Sequence, residues 1–304
     1  MIGETPDEVA GPVASIIVRC LNEAEHLPAL FDGLKKQSFR DFEVIVVDSG
    51  STDGTLELLA GEDVTLLHIA KDEFSFGRSL NLGCGAARGE FLVFISAHCH
   101  PVDEHWLANL LDGFEDPQVA AVYGKQRGVE SSHFSERQIF KRWFPEQSMA
   151  RQEEPFSNNA NCAIRRSLWE QFSYDEDLPG LEDTAWASKV MRHGWWISYR
   201  ADAGVLHVHN ESPTQTMRRY QREAITFQRI FPHEHFNIVD FVRLSIRNIL
   251  KDWSEARREG VFVKEAWYIL RFRMAQFVGT YRGFHTRWPG SSELKRRFYY
   301  PEEG

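Results

Sequence analysis

Residues 43–55 read Glu-Val-Ile-Val-Val-Asp-Ser-Gly-Ser-Thr-Asp-Gly-Thr, and this stretch decides the fold. An apolar run ends at Asp48, a turn of small residues follows, and helical spacing begins at Thr55. The run predicts a parallel strand buried on both faces, with the turn at its carboxyl end. Ligands of open α/β sheets bind at that end of the strands. Asp48 can therefore accept hydrogen bonds from a base or a ribose, or else cap the next helix together with Asp53.

Strands and helices alternate on both sides of this stretch. Strands are predicted at 13–18, 44–47, 64–69, 90–96, 119–123, 161–165 and 195–199. Helices are predicted at 24–36, from 55 onward, and at 78–88, 104–114, 167–171 and 182–193. Residues 125–157 lack a clear period, which indicates a long loop or a short helix over a site. The alternation predicts an α/β fold with a mainly parallel, doubly wound sheet in residues 1–212, followed by a helical extension in residues 213–304.

The hydropathy pattern and the cysteine spacing narrow the functional class. No run of about 18 apolar residues exists, so no transmembrane helix is expected. The first eight residues are acidic and lack an apolar segment, so they are not expected to be a signal peptide. The four cysteines form no Cys-x-x-Cys pair. This spacing favours reduced thiols in a cytoplasmic protein over a disulfide framework or a zinc cluster.

The net charge of −9 is distributed unevenly along the chain. Residues 213–304 carry 17 Lys and Arg against 10 Asp and Glu, whereas the remainder carries 18 against 34. The C-terminal region is thus basic, and aromatic side chains alternate with its arginines. This composition is typical either of peripheral contact with a membrane surface or of a helical subdomain packed on the first domain. No nucleic-acid-binding motif is present, so a nucleic-acid partner is not expected.

Further polar motifs follow other predicted strands. They are Gly-Arg-Ser-Leu-Asn-Leu-Gly-Cys-Gly-Ala-Ala-Arg-Gly-Glu-Phe at 77–91, Phe-Ser-Asn-Asn-Ala-Asn-Cys-Ala-Ile-Arg at 156–165, Leu-Glu-Asp at 181–183 and Val-Leu-His-Val-His at 205–209. With the Asp48 turn, these motifs resemble family 2 glycosyltransferases of the Rossmann-like GT-A fold. The match is closest to the bacterial rhamnosyltransferase-like branch and covers roughly residues 12–212.

The resemblance implies an inverting glycosyltransferase that uses a dTDP- or UDP-linked sugar, with rhamnose as the leading candidate. Its acceptor would be a saccharide or a lipid-linked oligosaccharide of O-antigen or capsule synthesis, at the inner face of the membrane. A nucleotidyltransferase is one alternative, but residues 19–23 lack the Gly-rich basic signature that it needs. A catalytically inactive sugar-binding or scaffolding relative is another. The intact pair Glu182 and Asp183 argues against that alternative.

The resemblance also implies individual roles. The nucleotide and donor sugar are expected to contact Arg19, Asn22, Glu23, Asp48, Ser49, Arg78, Ser96 and Asn161. Arg78 offers forked donors to a diphosphate, or else forms a surface ion pair. Asp183 is the implied base that takes the proton of the acceptor hydroxyl, and Glu182 would bind acceptor hydroxyls. The alternative for both carboxylates is a favourable charge at the start of a helix.

The chain departs from the family pattern at residues 96–98. The family usually has Asp-x-Asp there, with the last Asp on a divalent metal, whereas this chain has Ser-Ala-His. One interpretation keeps Mn²⁺ or Mg²⁺, held by His98 with His207 or His209, and imidazole suits Mn²⁺ better. A second needs no metal and holds the diphosphate through histidines and Arg78. A third gives His98 only a structural task. We expect the first interpretation, in which the protein binds a divalent metal.

Overall fold

The computed structural model describes residues 11–129, 132–208 and 211–288. Its strands are β1 (Ala14–Cys20), β2 (Phe42–Asp48), β3 (Thr65–His68), β4 (Phe91–Ser96), β5 (Cys99–Pro101), β6 (Val119–Gly128), β7 (Asn161–Arg165) and β8 (Trp196–His207). Its helices are α1 (Leu27–Lys35), α2 (Thr55–Leu59), α3 (Phe76–Ala86), α4 (Trp106–Asp112), α5 (Phe134–Trp143), α6 (Arg166–Gln171), α7 (Glu182–Arg192), α8 (Pro213–Ile230), α9 (Ile238–Arg258) and α10 (Phe262–Phe284). These elements confirm the predicted α/β class with helices at the C-terminal end.

All eight strands belong to one sheet in the order β3-β2-β1-β4-β7-β6-β8-β5. The first four strands in this order are parallel, whereas β7 is antiparallel to both of its neighbours and β5 is antiparallel to β8. The sheet is therefore mixed, with its parallel half at the N-terminal side. Because parallel strands end at one edge, Cys20 lies beside Asp48, and Arg19 lies beside Ser96.

Both faces of the parallel half are covered by helices. Ile16 and Val18 of β1 face one buried cluster, which includes Trp106 of α4. Ile17 faces the other cluster, which includes Leu80 of α3. Successive strand residues point to opposite faces, so a strand with helices on both sides must be apolar throughout. Each fully buried side chain of this size contributes about 1.5–3 kcal/mol of transfer free energy.

The C-terminal helices pack on the first domain through a buried polar junction. Asp252 of α9 accepts hydrogen bonds from Arg273 of α10 at 2.7 and 3.1 Å and from Ser135 of α5 at 2.6 Å. Gly279 and Gly283 let α10 approach α8 so closely that an added Cβ would collide with the α8 backbone. This packing supports the predicted helical subdomain, and the boundary between residues 212 and 213 stays a prediction.

The segment 125–157 contains the end of a strand and a helix. β6 continues to Gly128, and α5 is a short helix, which is one of the two alternatives left open for this segment. The short strand β5 was not expected. It forms because Cys99 pairs with His207, a contact over more than 100 residues that leaves no local pattern. Among the described residues, no helix is both long and apolar enough to span a bilayer. All four cysteines are free and buried.

Candidate active site

Asp48 builds the turn after β2. Its carboxylate is 1% exposed and accepts hydrogen bonds from the backbone N–H groups of Gly50 at 2.9 Å and Ser51 at 3.2 Å. Gly50 has φ 97°, a conformation in which only glycine avoids strain. Asp53 accepts hydrogen bonds from the backbone and hydroxyl of Thr55, and the bond from the hydroxyl lowers the pKa of Asp53. The N-cap of α2 is Gly54, so neither Asp48 nor Asp53 caps this helix with its side chain. Asp48 thus orders the turn, and its contact with a base or ribose stays a prediction.

The loop after β1 is tied to the same turn. Asn22 has φ 55°, and its Oδ1 accepts a hydrogen bond from the Thr52 backbone at 2.8 Å. Its own backbone N–H donates to Ser51 Oγ at 2.8 Å, and that of Glu23 donates to Thr55 Oγ1 at 2.9 Å. Two loops from distant parts of the sequence therefore form a single hydrogen-bonded edge. We call residues 19–23 and 48–55 the nucleotide edge.

Two residues that are predicted to contact the nucleotide sugar form bonds within the protein instead. Arg78 donates to Glu73 at 3.0 Å, and both side chains are substantially exposed. This is the surface ion pair that the sequence offers as the alternative for Arg78. Ser49 is buried, and its hydroxyl donates to the Cys20 carbonyl at 3.2 Å. Either residue would have to exchange these bonds to contact a ligand.

Asn161 has a structural task instead of the predicted contact with the donor. Its side chain is fully buried within β7. The amide donates to the carbonyls of Lys125 at 3.1 Å and Ala203 at 2.8 Å, and its oxygen accepts from Trp106 Nε1 at 2.9 Å. All three bonds join neighbouring elements of the sheet and α4. Because the amide is enclosed and fully used, it is not directed at the candidate site.

His98 lies where the family pattern expects a carboxylate, and it is held from several sides. Its Nδ1 is 2.9 Å from Glu23 Oε1, and its Nε2 is 3.1 Å from Ser96 Oγ. The ring stacks on His207 with centroids 5.0 Å apart. His207 in turn bonds Gln126 through Nδ1 at 2.7 Å. Glu23, Ser96, His98 and His207 thus lie together, and their contact with a nucleotide or a metal stays a prediction.

This cluster does not fit a metal ion as it stands. Within the described ranges, no three His, Cys, Asp or Glu side chains are arranged to hold a cation. Both nitrogens of His98 face hydrogen-bonding partners, so neither has a lone pair directed at an open position. His209, the remaining predicted ligand, lies outside the described residues. The expected metal site is therefore not supported by the donor set in this arrangement.

Asp183 lies at the start of α7, beside Glu182. Burial, followed by the charge of Glu182, raises the pKa of Asp183 to about 7. Asp183 Oδ2 accepts a hydrogen bond from the Asn159 backbone at 3.1 Å. The Asn159 side chain accepts from Tyr174 at 3.3 Å, and its buried Nδ2 has no hydrogen-bond partner among the described residues. We call Asn159, Glu182 and Asp183 the base end of the site.

Arg19 joins the two parts of the site. It is the last residue but one of β1, at the nucleotide edge, and its guanidinium lies 3.3 Å from Glu182 Oε1. The same guanidinium lies 4.8 Å from the ring centroid of Phe76. Arg222 of α8 lies 4.9 Å from that centroid and borders Gly180, just before the base end. Two guanidinium groups therefore approach Phe76, the first residue of α3.

Arg222 was missed in the sequence because it lies far from every recognised motif. Its helix reads as basic throughout, and nothing in the spacing separates Arg222 from its neighbour Arg218, which is exposed. The Arg222 Nε atom is buried and has no hydrogen-bond partner within the described chain. A desolvated guanidinium donor that is left unpaired is costly, so this atom is suited to an anionic ligand.

Comparisons with known proteins identify similar sequences. The model of the family described as "Glycosyl transferase family 2" matches residues 15–172. The O-antigen chain rhamnosyltransferase RfbN of Salmonella typhimurium is 24% identical over 92% of this chain and 99% of its own length. The O-antigen chain rhamnosyltransferase WbaN of Salmonella anatum is 24% identical over 87% of this chain and 93% of its own.

A solved structure shows the same fold. The mannosyltransferase PcManGT from Pyrobaculum calidifontis, in complex with GDP-Man and Mn²⁺, superposes with a TM-score of 0.63. It covers 98% of this chain and 90% of its own length at 20% identity. The predicted GT-A-like architecture is thereby confirmed, and this neighbour binds Mn²⁺ with a nucleotide sugar.

Proposed function

Because this chain belongs to glycosyl transferase family 2, we propose that it transfers a sugar from a nucleotide diphosphate donor to a saccharide acceptor with inversion of configuration. The two Salmonella relatives support an acceptor in surface polysaccharide synthesis and rhamnose as the leading donor sugar. A dTDP-linked donor is the first candidate, and UDP-linked hexoses are the second.

The observation that carries the proposal is the environment of Asp183. A carboxylate whose pKa is raised to about 7 can take a proton near neutral pH and hold it more readily than an exposed aspartate. In the proposed reaction Asp183 removes the proton of the acceptor hydroxyl as its oxygen attacks the anomeric carbon. The bond from that carbon to the diphosphate oxygen breaks at the same time. Glu182 and Asn159 Nδ2 would orient acceptor hydroxyls.

The leaving diphosphate needs positive charge because its negative charge increases as the bond breaks. The guanidinium groups of Arg19 and Arg222 both lie close to the Phe76 ring centroid, at 4.8 and 4.9 Å. Guanidinium groups match phosphate oxygens with forked donors, and they stabilise charge most effectively where water is excluded. We assign the diphosphate to these two arginines, with Glu23, Ser96 and His98 beside it. These arginines supply the positive charge, since the donor set around His98 does not fit a metal ion.

The test is the release of nucleoside diphosphate from dTDP-rhamnose and from UDP-hexoses by the purified chain. A mixture of lipid-linked and free oligosaccharides serves as acceptor. We expect release to require one nucleotide and to form a product of opposite anomeric configuration, read by NMR. Retention of configuration would exclude a single displacement with Asp183 as base.

Calorimetric titration of dTDP and UDP, with Mn²⁺ and separately with EDTA, tests the metal-free assignment. For each nucleotide, an affinity in EDTA within about threefold of that in Mn²⁺ supports binding by arginines, because charge supplied by the protein does not depend on added cations. Binding that requires Mn²⁺ would instead show that His98 binds the metal and that the side chains around His98 rearrange.

A further inference from the structure

Helix α9 exposes a row of apolar side chains. Val239, Val242, Ile246 and Leu250 are 67%, 47%, 53% and 55% exposed. They recur at intervals of three and four residues, so they lie along one face of the helix. Asp252, which packs against α5 and α10, lies on another side of α9. Single exposed apolar residues are ordinary, but an aligned row over three turns is not.

Helix α10 continues this surface. Val263, Trp267 and Met274 are 94%, 65% and 36% exposed, and their spacing of four and seven residues also selects one face. The seam between the helices is marked by Trp253 Nε1, which donates to the Ala266 carbonyl at 3.0 Å. Helical geometry places both rows on the same side of this seam. We call these seven exposed residues the apolar face.

Basic side chains border the apolar face. Arg247 follows Ile246, Lys251 follows Leu250, and Lys264 follows Val263, so each lies about 100° around its helix from an apolar residue. All three are exposed, and none forms an ion pair with any residue that the structure describes. Residues 238–284 carry nine Lys and Arg against five Asp and Glu.

We propose that the apolar face docks on an anionic membrane surface. An amphipathic surface with exposed Trp, aliphatic residues and a basic border fits the boundary between acyl chains and anionic headgroups. A second copy of the chain fits less well, because a two-fold interface would place the same basic borders opposite one another. The inference goes beyond the proposed sugar transfer, since the face lies on α9 and α10 and includes no residue of the base end or the nucleotide edge.

The test is sedimentation of the full chain with vesicles of phosphatidylglycerol and phosphatidylcholine, compared with phosphatidylcholine alone. We expect binding to the anionic vesicles that weakens as salt rises. The double change Ile246→Ser and Leu250→Ser should weaken binding by about tenfold or more, because both side chains would enter the interface. The double change Arg247→Gln and Lys251→Gln should weaken it about 30-fold at low salt.

The matched control is Leu58→Ser with Val102→Ser. These residues are exposed to a similar degree, at 42% and 43%, but lie outside α9 and α10. This pair should bind vesicles like the unchanged chain. Absence of vesicle binding, or equal weakening by control and test pairs, would overturn the proposal. Dimerisation that the Ile246 and Leu250 changes abolish, without vesicle binding, would assign the face to a second copy. Nucleoside diphosphate release, measured without lipid, reports separately on sugar transfer.

Discussion

At the nucleotide edge, Asp48 and Asn22 direct their oxygens to backbone N–H groups of one turn, whereas at the base end Asn159 Nδ2 has no partner within the described chain. The first region is held by hydrogen bonds between its own two loops. The second holds a carboxylate with a raised pKa, and the nearby Arg222 Nε has no hydrogen-bond partner in the part of the chain that the structure describes. Unpaired buried donors cost free energy, which a bound sugar or phosphate can recover. The difference indicates a preformed nucleotide edge and a base end completed by its substrates.

The largest expected effect of a single change is at Asp183. Asp183→Asn removes the proposed base and keeps the shape of the side chain. Turnover should fall by about 10²–10⁴-fold, the usual contribution of a positioned base. Nucleotide affinity, measured by calorimetry, should stay within about twofold because the nucleotide edge is built separately. Turnover close to that of the unchanged chain would remove Asp183 as the base.

Thermal unfolding provides the control for this variant. Asp183 has a raised pKa in the folded state, so its ionisation opposes folding as pH rises above the range of an unfolded aspartate. Asp183→Asn should therefore raise the unfolding temperature at pH 8 relative to the unchanged chain, and raise it less at pH 5. A lower unfolding temperature at pH 8 would show that the loss of turnover reflects damage to the fold.

Arg222 should give the next largest effect. Arg222→Met should lower kcat/KM for the nucleotide sugar by about 10- to 100-fold, because a desolvated guanidinium that contacts phosphate is removed. Arg222→Lys should restore only part of this loss, since an ammonium lacks the forked donors. Arg218→Met, on the exposed side of the same helix, is the matched control. Equal kinetics for Arg222→Met and Arg218→Met would show that Arg222 does not contact the nucleotide sugar.

A smaller effect is expected from Glu182→Gln, on the pH dependence of kcat. Turnover should rise with pH through the pKa of Asp183, because only the ionised carboxylate accepts a proton. The Glu182 charge contributes to the raised pKa, so Glu182→Gln should move the acidic limb of kcat to lower pH by about one unit. The midpoint of that limb is the measurement. A midpoint that stays in place or moves to higher pH would contradict the coupling of the two carboxylates.

The smallest effect concerns the nucleotide edge itself. Asn22→Ala loses the bond to Thr52 and places alanine at φ 55°, so the free energy of unfolding should fall by about 1–2 kcal/mol. Asn22→Gly tolerates this conformation and should recover part of the loss. Both variants should weaken nucleotide binding by only a few-fold. Chemical denaturation and calorimetry measure the two quantities. An Asn22→Gly variant less stable than Asn22→Ala would show that the conformation is not the cause.

Local patterns predicted most of the parallel half of the sheet and its helices. The apolar run before Asp48 indicated a strand buried on both faces, and β2 is one. The same reasoning missed β5, and it left a long loop or a short helix open for the segment that contains α5. Three residues at β5 are too few to show a period, and the strand exists only because the distant end of β8 pairs with it. α5 lies in a segment whose polar surface obscured its buried face.

The sequence by itself determined the residue types at the site and their order along the chain: the Asp48 turn, the acidic pair at 182–183, and His98 in place of a carboxylate. Tertiary structure alone decided which of these residues are available. It enclosed Asn161 within the sheet, paired Arg78 with Glu73, and brought Arg222 toward Phe76. The physical reason is that hydrogen bonds and burial depend on contacts between distant segments, which local spacing does not encode.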